Sequence, residues 1–392
     1  MPTTVIATCD FHSSVPDGHS TVAAIARWCT AGALVIDAGD FFGGNAFHEY
    51  SRGEAEERIL RECYDVVVPG NHDLADLMRI RHPQLFPPVV CCNLTPPTAF
   101  AGRWEKGLLL PARDLRVGVV GFIGAQAYEA VPLEERAGFA FTQPTAELLT
   151  AERDRLLGLG ADIVIGVSHS GFQRDVALQQ CGMSPFDLIV AGHCHSEDYH
   201  WTSGGRHVVK APELGAGLLR IDLDVAGAHT FTTEYHPPDG SPTGPGTDSL
   251  SAYEEWGAGV LGTLTTTIPD RAVLARMLAE QARTSSGADA FLLNLPTLRS
   301  GLPETVTRRA LADAVPFDTT LVRLTGEHDI NAVVQQALAI GEEPVSTSVL
   351  ARGRGSVVTT AYLAGRLGVP HTPVLPHLTL RSTVISLLGS HE

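Results

Sequence analysis

The sequence has 392 residues, of which 44% are hydrophobic and 18% charged, and its formal net charge is −16. This composition is typical of a globular protein, and the length favours two domains over one. The acidic balance argues against binding to nucleic acid through a broad basic surface. Since no apolar run approaches the roughly 18 residues of a membrane span, we expect no membrane partner.

The cellular location is predicted from the start of the chain and from the cysteines. The first strand-like run follows residues 1–4 directly, without the basic and apolar segments of a secretory signal peptide. The seven cysteines are scattered and form no Cys-x-x-Cys pair, which is typical of a reducing compartment. We therefore expect a cytoplasmic protein.

Five short apolar runs in the first half of the sequence predict buried β-strands, because most of their residues are β-branched. Each run leads within a few residues to Asp, Asn or His, although an unpaired polar group at the end of a buried strand costs free energy. The runs are residues 5–7, 33–36, 66–68, 163–167 and 188–191.

The intervening segments predict helices. Residues 13–19 contain Pro and Gly and are expected to form a loop, after which Ser20 and Thr21 cap a helix at residues 22–30. Helical patterns also occur over residues 53–63, 145–157 and 172–181.

The polar residues after the five runs offer acidic, amide and imidazole side chains. If the strands are parallel neighbours, their carboxyl ends meet at one edge of the sheet, and these side chains share one cleft. They are Asp10, His12, Asp40, Asn71, His169, His193 and His195.

Seven donors exceed the three or four that one tetrahedral zinc ion takes, so the set suggests two metal ions that share a ligand. Carboxylate and imidazole donors suit Mn, Zn, Fe or Mg better than a metal that prefers thiolates. Two divalent ions would outweigh the charge of Asp10 and Asp40 and attract an anion such as a phosphate. A metal pair about 3.5–4 Å apart can clamp the attacking and leaving oxygens of an in-line displacement.

The order and spacing of these residues resemble those of the calcineurin-like metallophosphoesterases, and specifically of the two-domain bacterial 5′-nucleotidases. The motifs that carry the resemblance are Asp10-x-His12, Gly39-Asp40, Gly70-Asn71-His72-Asp73, Ser168-His169-Ser170-Gly171 and Gly192-His193-Cys194-His195.

The resemblance implies a role for each donor. Asp40 bridges two divalent metal ions, and His72 contacts the phosphate or protonates the leaving oxygen. The nucleotidases carry an Asp three residues after this His to orient it, but Ala75 stands there, so Asp73 or Asp76 takes that part or His72 is held less firmly. One metal site is completed by Asp10, His12 and His195, the other by Asn71, His169 and His193, and the catalytic candidates are Asn71, His72 and Asp73.

The resemblance also implies the fold: an α/β (α+β) protein with a β-sandwich flanked by helices (α/β/β/α), followed by a smaller α/β C-terminal substrate-binding domain. We predict the first domain at residues 1–236, a linker and connecting helix at 237–258, and the second domain at 259–392. The linker is predicted from the Pro- and Gly-rich residues 237–247. Strands at residues 207–210, 218–223 and 229–236 are expected in the second sheet of the sandwich.

The candidate substrate-binding residues lie in the C-terminal part. In the family, a strand ending in Asn is followed by a Gly-rich turn and an Arg that holds the phosphate. Asn294 and Arg299 have this separation, although Leu295, Pro296 and Thr297 replace the glycines. A planar guanidinium suits bidentate phosphate binding. The alternatives are a surface salt bridge for Arg299, and for Arg352 a basic loop instead of a second phosphate contact.

These features favour hydrolysis of a phosphate monoester, specifically a 5′-nucleotide to nucleoside and phosphate, with two divalent metal ions as cofactors. In this mechanism a metal-bridging hydroxide attacks phosphorus and His72 assists the leaving group. The alternatives are a sugar phosphate or modified nucleotide in a specialised pathway, a cyclic-nucleotide or other phosphodiester, a sulfur ester, and a non-catalytic metal-binding scaffold. We expect a small phosphorylated molecule as the partner.

Overall fold

The computed structural model describes residues 3–240, 242–348, 353–375 and 377–388. The chain divides into two compact units, one of Met1–Gly43 with Ser51–Leu250 and one of Gly44–Tyr50 with Ser251–Glu392. The boundary between Leu250 and Ser251 lies within the predicted connection at 237–258. No sequence signal predicts that Gly44–Tyr50 belongs to the second unit.

The helices alternate with strands along the chain. In chain order they are α1 (Val15–Thr30), α2 (Ala46–Ser51), α3 (Glu54–Cys63), α4 (Leu74–Leu77), α5 (Ala125–Ala130), α6 (Ala146–Gly158), α7 (Phe172–Gln180), α8 (Leu250–Gly257), α9 (Arg271–Ser286), α10 (Arg308–Ala314), α11 (Ile330–Ala339), α12 (Ala361–Leu367) and α13 (Leu380–Ile385).

The strands of the first unit are mostly short. They are β1 (Thr3–Thr8), β2 (Leu34–Asp37), β3 (Val66–Val67), β4 (Val89–Val90), β5 (Leu94–Thr95), β6 (Trp104–Glu105), β7 (Leu108–Ala112), β8 (Leu115–Ile123), β9 (Ala140–Phe141), β10 (Ile163–His169), β11 (Leu188–Ala191), β12 (His200–Ser203), β13 (Arg206–Lys210), β14 (Gly217–Leu223) and β15 (Thr230–Tyr235).

Two sheets form a sandwich in the first unit. The first has the order β15-β14-β1-β2-β3-β4-β6, and the second has the order β12-β13-β11-β10-β8-β7. Strands β1 to β4 are parallel, as are β8, β10, β11 and β13. Between the sheets lies one buried core, to which Val5 and Ile36 contribute from the first sheet and Val119 and Val167 from the second.

Helices cover the outer faces of the sandwich. Leu149 and Leu156 of α6 and Val176 of α7 share a buried cluster with Val120 and Ile189 of the second sheet. Helix α1 packs on β2 and β14 of the first sheet, with Val22 and Ile25 fully buried. This is the α/β/β/α arrangement that the resemblance implies.

Three expectations about these elements need correction. The five ligand-bearing strands are not one sheet, because β1 to β3 lie in the first sheet and β10 and β11 in the second. Strands β14 and β15 also belong to the first sheet, where β14 pairs antiparallel with β1. A continuous apolar run indicates that a strand is buried on both faces, but it does not indicate which sheet the strand joins.

Helix α1 is the third correction, since it begins at Val15 and includes residues predicted as a loop. Proline is tolerated in the first helical turn, where its missing N–H would have no helical partner. Gly18 fits because a Cβ there would lie 2.9 Å from Gly215 Cα. The Pro and Gly therefore mark a helix start and a close backbone contact.

The second unit is a smaller α/β assembly with a sheet of order β21-β17-β23-β19-β24. Its strands are β16 (Val260–Thr263), β17 (Ala290–Asn294), β18 (Thr305–Thr307), β19 (Leu321–Leu324), β20 (His328–Asp329), β21 (Pro344–Ser348), β22 (Arg354–Gly355), β23 (Val357–Thr360) and β24 (His371–Pro373).

Both faces of this sheet are covered. Leu274 and Leu278 of α9 pack with Phe291 on one face, while α11 and α12 pack on the other with Leu292. Helix α2 belongs to this unit, since the ring centroid of Phe47 lies 5.2 Å from that of Tyr253. Within the described part of the chain, no helix has both the length and the apolar character to cross a membrane.

Candidate metal centre

The ligand-bearing turns follow the strands at once and share an unusual backbone. Asp10, His12, Asp40 and His193 all have positive φ, between 48° and 82°. Left-handed backbone is uncommon for residues other than Gly, although Asp and His adopt it more readily than most. Such conformations cluster at functional sites, where the surrounding structure imposes them.

These turns bring the predicted donors together in the first unit. In each of three groups the donor atoms lie within 4.8 Å of one another. The groups are Asp10 with His12 and His195, Asp40 with His169 and His193, and His12 with Asp40 and His72.

Asp40 lies at the centre of the cluster. Its Oδ2 is 3.3 Å from His169 Nε2, 3.8 Å from His12 Nε2 and 4.0 Å from His72 Nε2. A carboxylate with imidazoles on both sides has the position of a shared ligand between two ions. The division of the other donors around it is the one that the resemblance implies.

The two sides of the cluster are equally compact. On one side, His12 Nε2 and His195 Nε2 are 3.2 Å apart, and Asp10 Oδ1 is 4.0 Å from His195 Nε2. On the other side, Asn71 Oδ1 lies 2.9 Å from His193 Nδ1 and 3.3 Å from His169 Nε2.

Most of the cluster is buried, but its mouth is open. The side chains of Asp10 and His169 have no exposed surface, whereas His72 is 25% exposed and His195 is 41% exposed. A small molecule can therefore reach His72 and His195 from solvent.

Glycines allow the turns to approach one another. A Cβ on Gly70 would lie 2.1 Å from Asp40 Oδ1, and a Cβ on Gly39 would lie 2.4 Å from His169 Nδ1. Any side chain at either position would displace a donor. These two Gly residues of the motifs are therefore steric requirements of the cluster.

Further contacts orient the donors. His169 Nδ1 lies 2.8 Å from the Ala38 carbonyl oxygen, which assigns Nδ1–H to this bond and leaves Nε2 facing Asp40. The backbone N–H of His193 donates to both carboxylate oxygens of Asp10, at 3.0 and 3.1 Å. The two ligand-bearing segments are thereby joined.

Asp73 holds the turns together through its side-chain carboxylate. Its buried carboxylate accepts hydrogen bonds from the backbone N–H groups of Asp40 (2.7 Å), Gly70 (2.7 Å) and Phe42 (3.0 Å). The sequence predicts Asp73 among the catalytic candidates, whereas these bonds assign it the role of a positioning residue for the turns that carry Asp40 and Asn71.

The electrostatics of the cluster favour cations. Burial opposes the charge of Asp40, but the imidazoles of His169 and His72 outweigh it and hold the pKa of Asp40 well below its usual range. Burial also opposes charge on His169, yet Asp40 raises the pKa of His169 to about 10. Burial and the charge of His169 lower the pKa of His193 to about 3. The shifts of Asp40 and His169 are therefore complementary, since each group favours the charged form of the other.

The donor set fits divalent metal ions. It combines two carboxylates, one amide oxygen and four imidazoles, which are ligands of Zn, Mn and Fe, and the tautomer of His169 is set by its contact with the Ala38 carbonyl oxygen. All seven predicted ligands, together with His72, lie in this cluster.

The predicted substrate-binding residues have different surroundings. Asn294 is buried, and its side chain is committed to Glu342 through Nδ2 and to the Glu343 N–H through Oδ1. Arg299 is exposed, and its guanidinium carbon lies 5.7 Å from the ring centroid of Phe317. Arg352 lies outside the described residues. Asn294 thus holds the adjoining chain in place, and Arg299 stays a predicted phosphate contact.

Comparison with known proteins identifies the first unit. Residues 3–197 match the family described as calcineurin-like phosphoesterase, a span that contains every donor of the cluster. This segment is a calcineurin-like phosphoesterase domain.

Curated relatives that match part of this chain are named 5′-nucleotidases. A snake venom 5′-nucleotidase of Naja atra is 28% identical over 170 residues, which are 42% of this chain and 32% of that protein. The human 5′-nucleotidase is 27% identical over 170 residues, 42% of this chain and 29% of that protein. The match therefore spans about a third of the length of these relatives.

The fold of both units together has a counterpart among solved structures. The 5′-nucleotidase precursor from Thermus thermophilus superposes with a TM-score of 0.78, covering 99% of this chain and 96% of that one, at 17% identity. The predicted two-domain fold of the bacterial 5′-nucleotidases is therefore confirmed.

Proposed function

We propose that this protein is a metal-dependent hydrolase of phosphate monoesters and that its substrate is a 5′-nucleotide. The convergence of seven donors and His72 at the mouth of one cluster carries the proposal. The calcineurin-like phosphoesterase domain and the names of its relatives support the reaction class.

Two divalent ions fit the donors on the two sides of Asp40. Asp10, His12 and His195 would hold one ion, and Asn71, His169 and His193 the other. Such ions supply Lewis-acid chemistry: they activate water and neutralise the phosphoryl group. We propose Mn, Zn, Fe or Mg, because these metals accept oxygen and nitrogen donors.

Charge selects the substrate class. The carboxylates of Asp10 and Asp40 cancel only half the charge of two divalent ions, so the loaded cluster carries a surplus that attracts a phosphate dianion. The imidazoles around Asp40 add no negative charge. A monoester dianion gains more from this field than a diester monoanion does, which favours the monoester over the cyclic nucleotide.

His72 is placed to protonate the leaving alkoxide. Its backbone N–H donates to Asp40 Oδ1 at 2.8 Å, which fixes it beside the cluster, and its ring is open to solvent. Imidazole is the side chain that most often transfers protons in general acid–base catalysis. A proton held on His72 would neutralise the alkoxide as the ester bond breaks.

The nucleotide part of the proposal depends on the names of the relatives, and Arg299 stays a predicted phosphate contact. An exposed guanidinium can bind a phosphate through two parallel hydrogen bonds. The location in the cytoplasm stays a prediction.

The test is phosphate release from a panel of 5′-mononucleotides, sugar phosphates and one cyclic nucleotide, with Mn²⁺ added. We expect the mononucleotides to be hydrolysed fastest. In His72→Ala, general-acid assistance is lost, and kcat should fall about 10²- to 10⁴-fold while the metal content stays unchanged.

His200→Ala is the matched control, since His200 is an exposed histidine in β12 of the same unit. It should retain both activity and metal. Activity that is equal without metal, or equal in His72→Ala and the parent, would contradict the proposal. Faster hydrolysis of sugar phosphates would retain the reaction class and replace the nucleotide as substrate.

A further inference from the structure

Lys210, the last residue of β13, has a fully buried side chain beside the loop that carries His195. Its Nζ donates to the carbonyl oxygens of Cys194 at 2.9 Å and Ser196 at 2.6 Å, and to the Glu213 carboxylate. These acceptors use all three donor positions of an ammonium group. The two carbonyls belong to the neighbours of His195, so the ammonium holds the backbone on both sides of this donor.

Glu213 and Tyr199 complete the surroundings of the buried charge. The second oxygen of Glu213 accepts a hydrogen bond from Tyr199 Oη at 3.1 Å, and Lys210 Nζ lies 4.8 Å from the centroid of the Tyr199 ring. A buried ammonium is tolerated only when it is paired and hydrogen-bonded. The contacts around Lys210 meet this condition.

The segment that contains this ion pair also touches Asp10. The backbone N–H of Leu214 donates to the Asp10 carbonyl oxygen at 2.9 Å, and Cys9 Sγ donates to the Ala211 carbonyl oxygen at 3.4 Å. Residues 210–214 therefore join the two turns that carry Asp10 and His195.

His195 needs such support more than the other donors do. Its side chain is 41% exposed, whereas those of Asp10 and His12 are 0% and 5% exposed. Residues 192–199 form neither helix nor strand. Packing therefore constrains His195 less than its partners, and the hydrogen bonds of Lys210 to the carbonyls of its neighbours hold the backbone that carries its ring.

The choice of lysine is informative in this sequence. Lys106 and Lys210 are its only lysines, and every other basic residue except histidine is arginine. An ammonium can donate to three acceptors that surround one point, whereas the planar guanidinium presents its donors in a fork. The three acceptors around Nζ thus match a lysine.

We propose that Lys210, with Glu213, is a positioning residue for His195 and sets the metal affinity of the group formed by Asp10, His12 and His195. This inference rests on the metal centre proposed above. It assigns the ion pair an effect on one of the two metal sites and none on the other.

The test is Mn²⁺ binding to the double variant Lys210→Met with Glu213→Gln. The variant removes both charges and so leaves no unpaired buried ion. Loss of a residue that orients a metal ligand typically weakens binding about 10- to 100-fold. We expect that loss for one of two Mn²⁺ ions in a calorimetric titration, with the other affinity within about threefold of the parent value.

The control is a more exposed ion pair elsewhere in the unit that also joins a carboxylate and a backbone carbonyl, with the Arg155 side chain 45% exposed. Arg155 donates to Glu152 and to the Gly107 carbonyl oxygen, in α6 on the outer face of the sandwich. Arg155→Met with Glu152→Gln should leave both Mn²⁺ affinities unchanged. Should the Lys210 double variant fail to fold, Lys210→Arg, which keeps the charge, is expected to weaken the same single site.

A further experiment, in a protein that already carries His195→Ala, distinguishes a positioning role of Lys210 from a general effect on stability. In His195→Ala, the Lys210 double variant should cause no additional loss of Mn²⁺ affinity, because its effect passes through His195. Three results would overturn the role of Lys210. The double variant could bind both Mn²⁺ ions as the parent does, it could bind both equally more weakly, or it could show the full loss of affinity again in His195→Ala. If the parent protein itself binds no Mn²⁺, the proposed metal centre fails instead.

Discussion

Left-handed backbone at Asp10, His12, Asp40 and His193 turns each donor toward the others within a few residues of a strand end. For L-residues this conformation costs roughly 1–2 kcal/mol each. The cost recurs in turns from both sheets, and the hydrogen bonds of Asp73 to three backbone N–H groups offset part of it. The backbone of these turns thus contributes to bringing the donors together.

The steric role of Gly70 gives a prediction at the residue scale. In Gly70→Ala, the new Cβ would overlap Asp40 Oδ1, so the central carboxylate must move. We expect Mn²⁺ affinity to fall at least about tenfold, and the free energy of unfolding to fall by about 1–3 kcal/mol. Calorimetric titration and chemical denaturation measure the two effects.

Gly158→Ala is its control, because a Cβ at this end of α6 has no neighbour within 4 Å. It should change neither metal affinity nor activity. Parent-like Mn²⁺ binding by Gly70→Ala would show that Asp40 does not need its present position.

Residue types were easier to predict than residue roles. The seven donors follow from what stands after each apolar run. The role of Asp73 does not, because it depends on three amides contributed by separate turns. Lys210 was missed for the same reason: its two carbonyl acceptors lie 14 and 16 residues away in sequence, and only the rarity of lysine marks it.

At the scale of elements, strands with a clear apolar run were predicted well. The strand predicted at residues 207–210 is β13, and the one predicted at 218–223 is β14, and each begins one residue earlier and has the same last residue. The start of α1 was wrong, because Pro16 and Gly18 are typical loop residues when the neighbouring Gly215 is not known. Local pattern therefore locates elements, whereas tertiary contacts decide some of their ends.

Helix α9 offers a test of local structure in the second unit. Asp270 is its N-cap, and its carboxylate accepts hydrogen bonds from Ala272 N at 2.8 Å and Val273 N at 2.9 Å. We expect Asp270→Ala to lower the free energy of unfolding by about 1 kcal/mol. Asp270→Ser retains a capping oxygen and should lose less, and both variants should bind Mn²⁺ as the parent does. A cost for Ser that equals that of Ala would contradict a capping role.

At the scale of the whole molecule, the assignment of strands to sheets and of chain to units was the least predictable. The strand ends of the first sheet, β1 to β3, and of the second, β10 and β11, supply one cluster. Gly44–Tyr50 follows the Asp40 turn in sequence but packs in the second unit, where Ala46 N donates to Asp313 Oδ1 at 2.9 Å. Such partners are far apart in sequence and leave no local pattern.

Metal removal should affect one unit only, because all seven donors lie in the first. At a metal concentration 100 times its Kd, each bound ion stabilises the folded state by about 2.7 kcal/mol. We expect EDTA to accelerate hydrogen exchange in peptides around residues 36–42, 66–75 and 188–196, and to leave peptides from β17 and β23 unchanged. Equal acceleration in both units would contradict this localisation.

The most direct test of the metal centre is an anomalous difference map from a crystal grown with Mn²⁺ and measured at the manganese edge. The account predicts two peaks on either side of the Asp40 carboxylate, each about 2.0–2.3 Å from its protein donors. One peak should lie by Asp10, His12 and His195 and the other by Asn71, His169 and His193. A map with no peak within bonding distance of Asp40 would contradict it.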